Sequence, residues 1–255
     1  MGMLKALIFD CDGVIAETER DGHRESFNRV FKEEGIIAEW SISEYKDLVK
    51  IAGGKERMKA YFENNKHLLP TEKLNDDYIK KLHNRKTEIF MKMSADGELP
   101  VRPGIKRIVK EAHDAGLILA VCSTSNGKSV TSLIRAVLGE ETMNWFDNIF
   151  AGDMVKLKKP APDIYNLVKE KFKLNGNECF VVEDTRNGLL AANAAGMNCI
   201  VTVSFYSREE DFKEANMVVS SLGDPDSTLI EIIQSNSKIH QKPHYISISD
   251  LEVML

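Results

Sequence analysis

Four short runs of aliphatic residues are spread along the chain, and each run ends in polar residues. The runs cover residues 4–9, 117–122, 179–182 and 199–203. Their length and their bulky side chains are typical of strands buried on both faces of a sheet. The residues that directly follow the runs are Asp10, Ser123, Glu183 with Asp184, and Ser204. The pattern therefore predicts four buried strands with polar side chains at their carboxyl ends.

Helical patterns lie between these runs. Apolar residues recur at helical spacing over residues 105–112, which follow Pro103 and precede Gly116. Residues 189–195 are rich in alanine and stop at Gly196, as helices often do. Alternating helices and buried strands predict an α/β fold with a doubly wound parallel sheet, in which ligands bind beyond the carboxyl ends of the strands. We therefore expect the polar strand ends to converge on one site.

Residues 17–96 interrupt this alternation with charged amphipathic helical stretches and no good strand. The turn-forming segment 94–103 marks the return to the sheet. We predict a small α-helical cap domain at residues 17–96, inserted into an α/β core domain built from residues 1–16 and 97–255. The tail after Ser235 alternates only weakly, which leaves an edge strand, a partner-binding tail and disorder open.

The composition narrows the classes of function. The chain has 255 residues, 43% of them hydrophobic, and 34 basic residues against 39 acidic ones. The diffuse net charge of −5 argues against nucleic acid and against an anionic membrane surface as partners. The apolar run 117–122 is far shorter than the roughly 20 residues that span a bilayer. No exposed apolar stripe is evident, which favours a monomer.

The cysteines and histidines indicate no zinc or redox site. The four cysteines, Cys11, Cys122, Cys179 and Cys199, lie in or beside apolar runs, and no Cys-x-x-Cys occurs. Small buried hydrophobic residues in a reducing compartment explain them best. His240 and His244 are four residues apart, but Pro243 disfavours the helix that would bring them onto one face for zinc binding.

Four polar segments carry the candidate chemistry. They are Asp10-Cys11-Asp12-Gly13-Val14, Ser123-Thr124-Ser125-Asn126, Lys159-Pro160-Ala161-Pro162-Asp163 and Glu183-Asp184-Thr185-Arg186-Asn187-Gly188. Three of them also have a plain structural explanation. Asp and Gly form turns, the lysines at 156, 158 and 159 suit a solvated loop, and Glu183 with Asp184 suits the N-cap and acidic first turn of a helix. Taken together and in this order, the segments indicate an active site.

The order and the residues of these segments resemble the motifs of the haloacid dehalogenase-like (HAD) hydrolase superfamily, and the resemblance extends from residue 4 to about residue 222. A second set of segments resembles its CbbY branch of sugar-phosphate phosphatases: Glu17-Thr18-Glu19, Gly22-His23-Arg24, Phe27-Asn28 and Gly53-Gly54-Lys55-Glu56-Arg57. That branch acts on xylulose-1,5-bisphosphate, an inhibitor of the carbon-fixing enzyme Rubisco. The resemblance implies a plastid stroma location if the source is a photosynthetic eukaryote, and a cytoplasmic location otherwise.

The side chains suit phosphate ester hydrolysis, in which the negative charge of the phosphoryl group must first be neutralised. Asp10, Asp184 and the main-chain carbonyl of Asp12 would bind Mg²⁺, with Glu183 either binding the ion or holding its ligands. Lys159 and Ser123 would bind the phosphoryl oxygens. The resemblance implies that Asp10 is the nucleophile and that Asp12 is the general acid and base.

The cap would select the substrate. Gly53 and Gly54 open a helix, and free main-chain NH groups at a helix start bind anions, although such glycine pairs are also common in ordinary loops. We expect Lys55, Arg57, His23 and Arg24 to surround the sugar and its distal phosphate. The remaining candidate substrate-binding residues are Glu17, Glu19, Thr124 and Asn126.

These observations predict a Mg²⁺-dependent phosphatase of a small phosphorylated sugar. The resemblance implies that it converts xylulose-1,5-bisphosphate to xylulose 5-phosphate. A sugar-phosphate mutase of the β-phosphoglucomutase type would use the same four core segments and remains the alternative. A dehalogenase is disfavoured because that chemistry needs no Mg²⁺. A non-enzymatic ligand sensor is disfavoured by the intact set of candidate catalytic residues.

Overall fold

The computed structural model describes residues 3–51, 53–237 and 244–255. Its strands are β1 Ala6–Phe9, β2 Ile118–Cys122, β3 Asn148–Phe150, β4 Cys179–Glu183, β5 Asn198–Thr202, β6 Met217–Val219 and β7 Ile232–Ser235. Its α-helices are α1 Arg24–Glu33, α2 Ile42–Leu48, α3 Gly54–Asn64, α4 Asp76–Ala95, α5 Ile105–Asp114, α6 Gly127–Leu138, α7 Glu140–Met143, α8 Asp163–Phe172, α9 Arg186–Ala194 and α10 Ile248–Val253. A π-helical turn, Thr18–His23, leads into α1.

The chain forms two compact units. The sheet unit consists of Met1–Glu17 and Pro100–Leu255, and the helical unit consists of Thr18–Leu99. The assignment of the helical unit as a cap for the active site stays a prediction.

The sheet has the strand order β3-β2-β1-β4-β5-β6-β7, and every pairing except β6 with β7 is parallel. The predicted doubly wound fold is therefore confirmed, with an antiparallel strand at one edge. Phe9 pairs with Val121 of β2 and with Val182 of β4. This register places Asp10 level with Cys122 and Glu183 at the carboxyl edge of the sheet.

The four predicted strands correspond to β1, β2, β4 and β5. All residues of β1 and β4 are buried, because helices cover both faces of a parallel sheet. β3, β6 and β7 were not predicted from the sequence, and they have only three or four residues each. Strands this short contain too few side chains to show a period.

The tail after Ser235 contains the helix α10. That part of the tail is therefore neither an edge strand nor disordered. Ser247 caps this helix by accepting a hydrogen bond from the Asp250 N–H. His240 and Pro243 lie outside the described residues, so the predicted absence of a zinc site there stays a prediction.

The helical unit is built around aromatic residues. The Trp40 ring lies 4.7 Å from Phe27 and 5.3 Å from Tyr61, measured between ring centroids. Trp40 and Phe27 are almost completely buried, so both residues pack the interior of this unit.

The four cysteines of the sheet unit are buried and unbridged, as expected for small hydrophobic residues. No helix in the described ranges combines the length and the apolar character needed to cross a membrane.

Candidate active site

Three acidic side chains meet at the carboxyl edge of the sheet. Asp10 follows β1, Glu183 ends β4, and Asp184 follows it. One carboxyl oxygen from each residue lies within 4.8 Å of those of the other two. The three residues are only 7%, 1% and 5% exposed, respectively. Parallel strands in register bring these carboxyl groups together from positions more than 170 residues apart in the chain.

Lys159 connects two members of this cluster. Its Nζ lies 2.5 Å from Asp10 Oδ1 and 2.5 Å from Glu183 Oε1. The ammonium group also donates to the main-chain carbonyl of Cys122 at 2.8 Å. The Lys159 side chain is 5% exposed, whereas Lys156 and Lys158 lie on the surface. A solvated-loop interpretation therefore does not hold for Lys159.

Burial dominates the electrostatics of the cluster. It raises the pKa of Asp10 to about 8 against the opposing effect of Lys159, and Glu183 and Asp12 add to the rise. Burial, followed by repulsion from Asp10 and Glu183, also raises the pKa of Asp184 well above its usual range. Burial disfavours the Lys159 ammonium, but Asp10 and Glu183 outweigh this effect and hold its pKa above the ordinary value.

The cluster brings three carboxyl groups together beside one ammonium group, so Lys159 can offset only part of their negative charge when all three are ionised. Carboxylate oxygens are the ligands that hard divalent cations prefer. Asp10, Glu183 and Asp184 therefore form a donor set that could hold such an ion.

Asp12 is held by hydroxyl groups from the loop after β2. Ser125 Oγ donates to Asp12 Oδ2 at 2.8 Å, and Ser123 Oγ lies 3.5 Å from the same oxygen. Ser125 was not predicted to have a role, although its hydroxyl group two positions after Ser123 was a usable signal. Thr124 is exposed.

The Asn126 side chain is exposed and caps α6, because its Oδ1 accepts the Ser129 N–H at 3.0 Å. A substrate-binding role for Thr124 and Asn126 stays a prediction.

The helix-cap explanation of Glu183 and Asp184 is wrong. The N-cap of α9 is Thr185, whose Oγ1 accepts the Gly188 N–H at 3.2 Å. Gly188 has a second function, because a Cβ atom there would overlap the Glu183 carboxylate. The absence of a side chain thus lets α9 approach the acidic cluster closely.

Two buried residues of the sheet unit, Tyr165 and Arg102, were not predicted from the sequence. The Tyr165 hydroxyl donates to Glu183 Oε1, and the Tyr165 ring centroid lies 5.1 Å from Lys159 Nζ. Arg102 donates to main-chain carbonyls at several strand ends. Both residues bond to partners that are distant in sequence, so no local pattern could have indicated them.

Glu17 belongs to the sheet unit. Its Oε1 lies 3.5 Å from Arg102 Nε, and its Oε2 accepts the Phe205 N–H at 3.5 Å.

Within the helical unit, Glu19 and Arg57 are brought together. Tyr45 donates its hydroxyl hydrogen to Glu19 Oε2 at 2.8 Å, and Arg57 Nη1 lies 3.4 Å from the same oxygen. Arg57 is buried and also donates to the carbonyls of Val49 and Ile51.

The other predicted substrate-binding residues of the helical unit differ in their contacts and in their exposure to solvent. Arg24 donates to the Trp40 carbonyl at 2.9 Å, and His23 Nδ1 lies 2.7 Å from Nζ of the buried Lys86. The sequence analysis did not single out Lys86. Lys55 is exposed on α3.

The glycine pair Gly53-Gly54 opens α3 as predicted. Gly53 is its N-cap residue, with a φ of 90°.

Comparison with known proteins identifies the family. A haloacid dehalogenase-like hydrolase family model matches residues 4–196. A CBBY-like protein of Arabidopsis thaliana is 45% identical over 242 residues, which cover 93% of this chain and 75% of that protein.

Solved structures support the same family assignment. The crystal structure of CbbY from Rhodobacter sphaeroides in complex with phosphate has a TM-score of 0.72 and 41% identity, covering 86% of this chain and 95% of that one. A mutant of that CbbY, solved in complex with xylulose-(1,5)bisphosphate, also has a TM-score of 0.72 at 40% identity, with the same coverage. The chain therefore belongs to the haloacid dehalogenase-like hydrolase family, in which it is a phosphatase-type enzyme related to the CbbY proteins.

Proposed function

We propose that this protein is a Mg²⁺-dependent phosphatase of small phosphorylated sugars that forms an aspartyl-phosphate on Asp10. The observation that carries the proposal is the buried cluster of Asp10, Glu183 and Asp184 with Lys159 bonded to two of its members. Asp10, Asp184 and the main-chain carbonyl of Asp12 would hold Mg²⁺, with Glu183 beside them. When bound, the ion would offset negative charge on the carboxylates and on the phosphoryl group.

In the proposed reaction, Asp10 and Asp12 have different roles. The Asp10 carboxylate attacks phosphorus, the bond to the sugar oxygen breaks, and Asp12 gives its proton to the departing oxygen. Water next attacks the phosphorus of the aspartyl-phosphate, the bond between phosphorus and the Asp10 oxygen breaks to return the free carboxylate, and Asp12 takes up the proton that the water loses. The hydroxyl groups of Ser123 and Ser125 support this role because they hold Asp12 Oδ2 in place. The net reaction consumes one water and releases inorganic phosphate and the sugar alcohol.

Lys159 and Ser123 are suited to bind the transferring phosphoryl group. Both are anchored at the carboxyl edge of the sheet, where Ser123 directly follows β2 and is 1% exposed. A buried ammonium and a fixed hydroxyl stabilise developing negative charge without reorganising.

We propose xylulose-1,5-bisphosphate as the substrate and xylulose 5-phosphate as the product. The support is the 40% identity to the CbbY that was solved with this bisphosphate. The acidic groups of Glu17 and Glu19 would bind sugar hydroxyls, while Gly53, Gly54, Lys55, Arg57, His23 and Arg24 would bind the distal phosphate.

The test is phosphate release, with and without Mg²⁺, across a panel of ketose and aldose mono- and bisphosphates. We expect Mg²⁺-dependent release that is fastest with xylulose-1,5-bisphosphate. Product analysis separates a mutase, which would yield an isomeric sugar phosphate without stoichiometric phosphate release. No phosphate release from any member of the panel would contradict the proposed activity.

Asp10→Asn should abolish phosphate release, because the amide cannot act as the nucleophile while its shape is preserved. Circular dichroism should show an unchanged fold. Asp114→Asn, on the exposed face of α5, is the matched control and should retain activity. Activity retained in Asp10→Asn would contradict the aspartyl-phosphate mechanism.

The proposed cap assignment has its own test. Lys55→Ala should lower activity on the bisphosphate relative to a monophosphate, since an exposed ammonium is lost that would bind the distal phosphate. Lys59→Ala, on the same helix and paired with Asp76, is the control and should leave the ratio unchanged. An unchanged ratio in Lys55→Ala would remove this residue from the proposed subsite.

The predicted location, plastid stroma in a photosynthetic eukaryote and cytoplasm otherwise, and the predicted monomeric state are part of the same proposal. Imaging of a fluorescent fusion and light scattering after size exclusion test them.

A further inference from the structure

A buried arginine connects several loops at the carboxyl edge of the sheet. Arg102 is 7% exposed. Its Nη1 donates to the carbonyls of Gly13 and, at 2.9 Å, Thr202. Its Nη2 donates to the carbonyls of Val203 at 2.7 Å and Ser220 at 2.9 Å. One guanidinium group thus joins the loop after β1 to the ends of β5 and β6.

The bond to Gly13 is the contact of Arg102 that bears directly on the acidic residues. Gly13 lies in the turn that carries Asp12, and it adopts a φ of 84°. Its N–H donates to the Ala16 carbonyl at 2.8 Å, and a Cβ atom at Gly13 would overlap the Asp184 carboxylate. The position of this turn therefore sets the spacing between Asp12 and Asp184.

Arg102 also reaches Glu17 at the end of the same segment. Arg102 Nε lies 3.5 Å from Glu17 Oε1. The main-chain N–H of Arg102 donates to the Ile15 carbonyl at 2.9 Å. The arginine is thus bonded to the beginning, the middle and the end of residues 13–17.

Only a guanidinium can make this set of contacts. It is planar and offers five N–H donors in a fixed fork, whereas a lysine ammonium is a single point with three donors. A lysine at this position could keep the positive charge and part of the hydrogen bonding, but it could not bond to β5, β6 and residue 13 together.

We propose that Arg102 is a positioning residue for the reaction. It fixes the turn of residues 12–16 against Asp184, so that the Asp12 carboxyl and the metal-binding carboxylates keep their mutual arrangement, and it fixes Glu17 at the end of that turn. The inference rests on the proposed phosphatase activity and adds to it a residue that touches neither the substrate nor the ion.

The test compares Arg102→Lys and Arg102→Met with Arg107→Lys and Arg107→Met. Arg107 is a matched control, since it is a largely buried arginine of the same unit that donates to the carbonyls of Leu222, Gly223 and Ile246. Its substitution removes a similar number of arginine-to-carbonyl bonds away from the turn of residues 12–16. All four variants are measured at a temperature at which each is fully folded.

We expect kcat with p-nitrophenyl phosphate to fall about 10- to 100-fold in Arg102→Met, as is usual when a residue that supports metal ligands is lost. KM should change much less, and Arg102→Lys should recover part of kcat. The Mg²⁺ dissociation constant, measured by calorimetry without substrate, should rise in parallel. The Arg107 variants should lose thermal stability but keep kcat and Mg²⁺ affinity.

Two results would overturn the inference: kcat and Mg²⁺ affinity within about twofold of the wild type in folded Arg102→Lys, or losses equal to those of the Arg107 variants. If Arg102→Met does not fold, Arg102→Lys decides alone. A wild-type protein that binds Mg²⁺ but releases no phosphate would instead contradict the proposed function. The Mg²⁺ dissociation constants of the Arg102 variants would in that case still test the positioning role.

Discussion

Among single residues, Lys159 is the cation that pairs with two members of the acidic cluster. Its ammonium lies within 2.5 Å of a carboxyl oxygen of both Asp10 and Glu183, in a region almost closed to solvent. Buried charges are tolerated only when they are paired and hydrogen-bonded. Removing this one cation would leave two carboxylates facing each other without compensation.

Lys159→Met keeps the length of the side chain and removes the charge. We expect the free energy of unfolding of the metal-free protein to fall by about 3–5 kcal/mol, the usual loss when a buried ion pair loses one partner. Urea denaturation measures this loss. Lys158→Met, at an exposed position next to it, should change stability by less than about 0.5 kcal/mol. Similar losses in both variants would contradict the inferred role of the cation.

At the scale of elements, the approach of α9 to the end of β4 depends on a missing side chain. Gly188 lies in the first turn of α9, where alanine would ordinarily be more favourable by about 1 kcal/mol. Here a Cβ atom would overlap the Glu183 carboxylate. The packing of the helix against the site therefore opposes the intrinsic helix propensity.

This opposition predicts the direction in which a substitution at Gly188 changes the free energy of unfolding. Gly188→Ala should lower the free energy of unfolding by about 1–3 kcal/mol, as overpacking usually does. Gly127→Ala is the control at the start of α6, because its Cβ would meet only the Ala151 Cβ at 3.6 Å, an ordinary contact. That variant should be neutral or slightly stabilised. Thermal unfolding of both compares them, and a stabilised Gly188→Ala would show that the helix can shift away from Glu183.

At the scale of the whole molecule, the acidic cluster links folding to pH and to metal binding. In the metal-free protein the pKa of Asp10 rises from 3.8 to about 8, and that of Asp184 rises in the same direction. The folded state therefore holds protons that the unfolded chain has already released between these values. It follows that the contribution of these two groups to the stability of the metal-free protein falls as the pH rises from about 4 to about 8.

Mg²⁺ competes with these protons for the same carboxyl oxygens. The increase in melting temperature caused by saturating Mg²⁺ should thus be larger near pH 8 than near pH 5. Differential scanning fluorimetry at the two pH values measures it. Asp184→Asn should lose most of the increase at both. An increase independent of pH would mean that Mg²⁺ binds elsewhere.

The central strands were predictable and the outer ones were not, for a physical reason. β1 and β4 are buried on both faces, so their sequences are continuous aliphatic runs. In β7 the pattern alternates between half-buried and exposed residues over only four positions. Such a strand is stabilised by hydrogen bonds to its neighbour, and its own side chains carry little signal.

The kinds of chemistry available could be inferred from the order of residues alone: carboxylates after β1 and β4, a lysine before α8, and a family resemblance that the comparisons confirm. Which of these charges meet depends on the folding of the chain in three dimensions. Arg102 bonds to residues about 100 positions away, and Tyr165 reaches Glu183 from a different element. Hydrogen bonds and burial of this kind depend on distances in space. For that reason the pKa values of Asp10 and Asp184 and the positions of their neighbours follow from the fold.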